Sequence, residues 1–129
     1  MAEHNEIGKK GEDIALNYLI SNNFIFVERN YNCKVGEIDI VVKKSDKICF
    51  VEVKTKRVKG FKEIEDMTFR PEYNLSKDKK KKMLKAVKNY LNYRKIDESK
   101  NNIEIIGIMV FINTEIKKAK VKMYENLIL

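Results

Sequence analysis

Two β-type segments joined by a four-residue polar break constrain this chain more than any other feature. Val35 to Lys43 (VGEIDIVVK) and Lys47 to Lys56 (KICFVEVKTK) are separated by Lys44-Ser45-Asp46-Lys47, a composition that favours a tight hairpin. A turn centred on Ser45-Asp46 sets Val42 opposite Cys49, Ile40 opposite Val51, Asp39 opposite Glu52 and Glu37 opposite Lys54. Because strand side chains alternate, Glu37, Asp39 and Val41 share one face, and Ile38, Ile40 and Val42 the other. Likewise Ile48, Phe50, Glu52 and Lys54 share a face, with Cys49, Val51 and Val53 behind them. A one-residue slip would reverse every assignment. In this register two carboxylates oppose each other among Ile, Val and Phe. Like charges so placed destabilise a sheet, and burial raises one of the pKa values.

A divalent cation compensates such a pair, since Mg²⁺ accepts one or two carboxylates and keeps several waters. The first helix adds a third acid. Glu6 to Asn22 carries Ile7, Gly11, Ile14, Ala15, Tyr18 and Leu19 at helical spacing. Glu12 falls at the edge of that apolar arc, while Lys9, Lys10, Asp13 and Asn17 take the solvated side. Gly8 and Gly11 would allow a close approach to the sheet. The bland reading is ion pairing, Glu12 with Lys54 and Asp39 with a lysine of the second helix. The chemical reading is phosphodiester hydrolysis. Asp39 and Glu52 would be metal ligands, with the Val53 carbonyl adding an oxygen. Lys54 would orient water or offset transition-state charge, and Glu12 would bind the metal through water or steady a ligand.

The remaining chain reads as one domain over residues 1–129. Phe24 to Asn30 is a strand with Phe24, Phe26 and Glu28 on one face. Gly60 to Asn74, holding the only proline, Pro71, is the longest loop. Ser76 can cap a helix running to Lys95, its core stripe formed by Leu84, Val87 and Leu91 with Met83 and Tyr90. Ile103 to Ile112 is a strand buried on both faces, and Ala119 to Glu125 an edge strand. The order is α-β-β-β-α-β-β, an α/β fold with a mixed sheet and either one helix on each side or both on one side.

Charge narrows the partners. The net +8 is concentrated between Lys54 and Lys95, which hold 15 basic and 5 acidic residues. Its densest part, Lys77, Lys79, Lys80, Lys81 and Lys82, suits a polyanion such as DNA. The alternative is a solvated helix face. An anionic membrane fits less well, because the basic helix lacks an aromatic-rich face to insert. No apolar run reaches the roughly 20 residues of a membrane span, and the polar N-terminus lacks a signal-peptide core. Cys33 and Cys49 form no metal-binding or disulfide framework, so a cytoplasmic location is expected. Cys49 is expected to pack as a small hydrophobe, and His4 to lie in a mobile stretch without a role. Phe61, Phe69 and Tyr73 could stack on bases or simply anchor the long loop.

The segments Gly8-x-x-Gly11-Glu12-x-x-Ala15-x-x-Tyr18-Leu19, Arg29-Asn30-Tyr31, Gly36-Glu37-Ile38-Asp39-Ile40-Val41 and Phe50-Val51-Glu52-Val53-Lys54-Thr55-Lys56 together resemble the YraN family. They also resemble the PD-(D/E)xK nuclease superfamily, including archaeal Holliday-junction resolvases, in Asp39 followed by Glu52-Val53-Lys54. The resemblance implies a restriction-endonuclease-like core of order αβββαβ(β). It implies Glu12, Asp39, Glu52 and Lys54 as the active-site set, Mg²⁺ or Mn²⁺ as cofactor, and branched DNA as substrate. Lys79 best matches a lysine opening the second helix, and Lys56 and Arg57 extend the DNA-binding set. A homodimer would suit a junction resolvase. The chain departs from the pattern at Asn102-Ile103-Glu104, where the family usually has Arg-Phe-Asp. The runner-up function is a non-catalytic nucleic-acid-binding module acting with a partner, and the third is a scaffold.

Overall fold

The computed structural model describes the backbone of residues 2–59 and 73–129, and the side chains from residue 6 onward within them. Expectations for Phe61, Phe69, the His4 side chain and most of the 60–74 loop fall outside the described residues, while the backbone of His4 belongs to the first helix. Helix α1 spans Ala2–Ser21, followed by β1 (Ile25–Cys33), β2 (Gly36–Lys44) and β3 (Lys47–Val58). Helix α2 (Lys77–Tyr93), a 3-10 turn (Glu98–Lys100), β4 (Asn102–Asn113) and β5 (Lys118–Tyr124) complete the order. The strands form one mixed sheet in the order β1-β2-β3-β4-β5. Only β3 and β4 run parallel, as a crossover through α2 requires.

The helices take opposite faces. Ala15 and Leu19 of α1 pack on Ile40, Val42, Cys49, Val51 and the β4 residues Ile106, Ile108 and Val110. Met83, Ala86, Val87, Tyr90 and Leu91 of α2 pack with Tyr31, Val41 and Phe50. Ser76 caps α2, its Oγ accepting from the Lys79 N–H at 3.1 Å. Two local patterns differ from expectation. Leu84 is exposed, because the buried stripe runs through Met83, Ala86, Val87, Tyr90 and Leu91, one step round the helix. On the edge strand β1, Phe26 is exposed, and the bulge between Phe26 and Glu28 breaks the single face expected to hold Phe24, Phe26 and Glu28.

The hairpin register holds from Lys44↔Lys47 to Ile40↔Val51 and then stops. Asp39 and Glu52 are therefore not ladder partners, contrary to the extrapolated register, and neither are Glu37 and Lys54. Beyond Ile40, β2 stays with β1 (Tyr31↔Ile38) while β3 stays with β4 (Glu52↔Gly107), so the two strands part. Strand alternation breaks at the same place. Ile38 joins Val41 in the α2-side cluster, although Ile40 and Val42 belong to the α1 side. Asn30, between the partners of Ile40 and Ile38, has φ 55° and bends β1 opposite Asp39. Asparagine tolerates this left-handed conformation better than most residues.

Close packing depends on Gly11 but not on Gly8. A β-carbon on Gly11 would strike the Thr55 side chain, its Cβ 2.9 Å away, whereas one on Gly8 would meet nothing within 4 Å. Gly8→Ala should therefore stabilise by about 0.5–1 kcal/mol through helix propensity. Gly11→Ala should destabilise by about 1–3 kcal/mol through overpacking. Urea unfolding of the two variants should move the midpoint in opposite directions.

Candidate active site

The parting of β2 and β3 leaves the Val53 N–H without a main-chain acceptor on the β2 side. The Asp39 carboxylate fills that place, with Oδ2 accepting from the Val53 N–H at 2.8 Å. In an extended strand N–H and C=O of one residue point to the same edge, so the Val53 carbonyl is directed to this gap as well. A cleft of about 310 Å³ opens here, lined by Ile7, Gly8, Glu12, Glu37, Asp39, Glu52, Val53, Thr55 and Lys79. It takes residues from both helices because a split sheet is open to both faces.

Four carboxylates thus share one cleft. Burial pushes the Asp39 carboxyl up to about 7, against the pull of the Val53 hydrogen bond, and the charges of Glu12, Glu52 and Glu37 raise it further. Glu12 is also raised, by burial first, with Arg29 pulling the other way. Arg29 reaches from β1 to Glu12 at 3.6 Å and to Asp13 at 2.6 Å. Its Nε is buried without a hydrogen-bond partner among the described residues. The ion pair expected between Glu12 and Lys54 is therefore replaced by one with Arg29.

Lys54 follows a different course from the other motif residues. Its amine donates to the Asn74 carbonyl and lies 4.8 Å from the centroid of the Tyr73 ring. Among the described residues, the lysine lining the cleft is Lys79. Glu52 Oε1 accepts from the Tyr73 hydroxyl at 2.9 Å. Burial and the neighbouring Glu52 charge raise the Tyr73 pKa, so this phenol stays protonated. Lys77, Lys81 and Lys82 are exposed on the first turns of α2, where Lys82 pairs with Asp78 at 3.3 Å. Lys80 is half-buried beside Tyr73 and Asn74. Lys56 and Arg57 are exposed near the end of β3, with Arg57 donating to Thr114 Oγ1 at 3.3 Å. Cys49 is buried in the α1-side core with its thiol pushed up to about 11, as expected of a packing residue. Sequence reasoning gave Arg29, Glu37, Thr55 and Tyr73 no place at the site. The Arg29-Asn30-Tyr31 run was a visible signal, but nothing in the spacing linked it to Glu12.

The fold and cleft define an α/β protein whose mixed sheet splits around a carboxylate-lined, lysine-flanked cavity. Its sequence matches the model of "Uncharacterised protein family UPF0102" over residues 11–108, and the chain belongs to that family. It is 38% identical over 117 residues to a UPF0102 protein of Flavobacterium johnsoniae, covering 89% of both chains. It is 38% identical to one of Clostridium kluyveri over 81% of this chain and 80% of that one. It is 32% identical to one of Chlorobium phaeobacteroides over 92% and 86%. No helix among the described residues is long and apolar enough to cross a membrane.

The raised Asp39 carboxyl has a signed consequence. The folded state keeps this proton up to about pH 7, whereas the unfolded chain releases it near the ordinary 3.8. The folded state binds more protons between those values, so stability falls as pH rises from about 4 to about 7 and levels off above. Urea unfolding at pH 5 and pH 8, with chelator present, should show wild type losing more stability than Asp39→Asn. Equal losses would place the titration elsewhere.

Proposed function

We propose that this protein is a metal-dependent DNA endonuclease of the PD-(D/E)xK type that hydrolyses phosphodiester bonds, with branched repair or recombination intermediates as substrates. The observation that carries the reading is the gathering of Glu12, Asp39, Glu52 and Lys79 around one cleft, beside the exposed lysines of α2. Asp39 and Glu52, with the Val53 carbonyl, would hold Mg²⁺ or Mn²⁺. The donor set fits, because it is all oxygen, which hard cations prefer. A cation would also relieve the burial and the crowding of carboxylates that together keep Asp39 protonated. Among the described residues no three His, Cys, Asp or Glu side chains converge to hold a metal alone. Main-chain, water and phosphate oxygens would complete the shell, the usual habit of Mg²⁺.

When bound, the cation would supply polarisation of the phosphate and charge neutralisation. The chain's own residues do the rest. Lys79 offsets phosphate charge at the cleft. Glu12, restrained by Arg29, steadies the carboxylate cluster. Lys54 would serve the reaction by turning its amine from the Asn74 carbonyl toward the cleft. Lys56, Arg57, Lys77, Lys80, Lys81 and Lys82 hold the DNA backbone.

The second reading, a non-catalytic nucleic-acid-binding module acting with a partner, draws on the position of Lys54 against Tyr73 and Asn74. Incubation with nicked, flap and four-way-junction DNA in Mg²⁺ or Mn²⁺ separates the two. Wild type should cleave, and Asp39→Ala and Glu52→Ala should lose at least 100-fold, on the order expected when a charge-stabilising group is removed. Cleavage unchanged in both variants would overturn the assignment, and salt-sensitive binding without any cleavage would favour the module.

DNA binding carries its own test. The slope of log affinity against log salt should be strongly negative. It should shrink by about one for each of Lys77, Lys79 and Lys81 replaced by Gln. A slope near zero in wild type would end both nucleic-acid readings.

A further inference from the structure

Glu52 is held by a residue outside the motif. Tyr73 is buried, and its hydroxyl sits 2.9 Å from Glu52 Oε1 and 3.0 Å from the Glu52 main-chain oxygen. Gly107, the β4 partner of Glu52 in the parallel ladder, makes the room for the ring. A β-carbon at 107 would lie 2.6 Å from it. The ring is flanked by Tyr124 of β5, with centroids 5.7 Å apart, and by the Lys54 amine. The phenol is thus fixed by packing before it meets the carboxylate.

We propose that Tyr73 is a positioning residue for Glu52: by holding Oε1, it leaves Oε2 as the oxygen offered to a divalent cation beside Asp39. This rests on the reading that Asp39 and Glu52 bind such a cation. A carboxylate otherwise rotates about two-fold between equivalent oxygens, and a hydrogen bond to one of them fixes the plane of the group. Partners of this kind, once removed, typically cost about 10–100-fold in metal affinity. The Glu52–Gly107 pairing matters because any side chain at 107 would displace the ring that carries the hydroxyl.

The test is Mn²⁺ affinity of the full chain, by calorimetry, for wild type, Tyr73→Phe, Glu52→Gln and the double variant. Phenylalanine keeps the ring over Gly107 and removes only the hydroxyl. Tyr73→Phe should bind Mn²⁺ at least 10-fold more weakly than wild type. The double variant should bind no more weakly than Glu52→Gln alone, because the hydroxyl acts through that carboxylate. Wild-type affinity in Tyr73→Phe, even with a lowered melting temperature, would overturn the positioning role and leave the metal site standing. Absence of Mn²⁺ binding by wild type would overturn both. A second measurement needs no Tyr73 variant. With ring-¹³C tyrosine, Mg²⁺ should shift the Tyr73 resonance in wild type but not in Glu52→Gln, and a resonance unmoved by Mg²⁺ in wild type would equally overturn the proposal.

Discussion

The hydrogen bond from the Val53 N–H to Asp39 Oδ2 is the contact on which the site depends. It replaces a main-chain carbonyl with a side-chain carboxylate at the point where β2 leaves β3. Buried amides must find an acceptor, so a sheet cannot open in its interior unless something supplies one. Asp39 supplies it and thereby permits the split. The same opening removes ladder neighbours from the Val53 edge of β3 and gives the cleft its walls. Without the split, the carboxylates would lie on a flat sheet face under a helix.

The split has an electrostatic cost that the surrounding residues share out. Asp39 is raised by burial and by three neighbouring acids, although it accepts an amide hydrogen bond. Glu12 is partly relieved by Arg29, whose guanidinium spans Glu12 and Asp13 and leaves its buried Nε unpartnered. Glu52 is held by the Tyr73 hydroxyl. Three of the four acids thus have different partners: an amide for Asp39, a guanidinium for Glu12 and a phenol for Glu52.

Much of this was legible in the chain. The hairpin register follows from a two-residue turn between strands of clean period 2, and it holds through five pairs. The helix cap at Ser76 and the two-sided burial of β4 follow from local spacing in the same way. The end of the ladder was not legible, because extrapolating a register assumes straight strands. Asn30 bends β1 across from Asp39, and a left-handed residue inside a strand leaves no mark on hydrophobic periodicity. Leu84 and the face of β1 were misassigned for a related reason: a rotation of about 100° moves Leu84 out of the core stripe, and a bulge after Phe26 breaks the face that the pattern suggests.

What the sequence by itself determined was the set of chemical groups and their order: a glycine-bearing helix with Glu12, a hairpin carrying Asp39 and Glu52, and a basic helix with Lys79 in its first turn. Those are properties of neighbours along the chain, fixed by strand and helix periods. Only the tertiary structure decided which of them meet. Lys79 comes to the cleft while Lys54, two residues from Glu52, is drawn to Asn74. Arg29 takes the acid that Lys54 was expected to pair with. These outcomes turn on side-chain contacts between residues 14 to 20 apart, and on a cleft whose lining runs from Ile7 to Lys79, across a sheet that splits, and no local period encodes them.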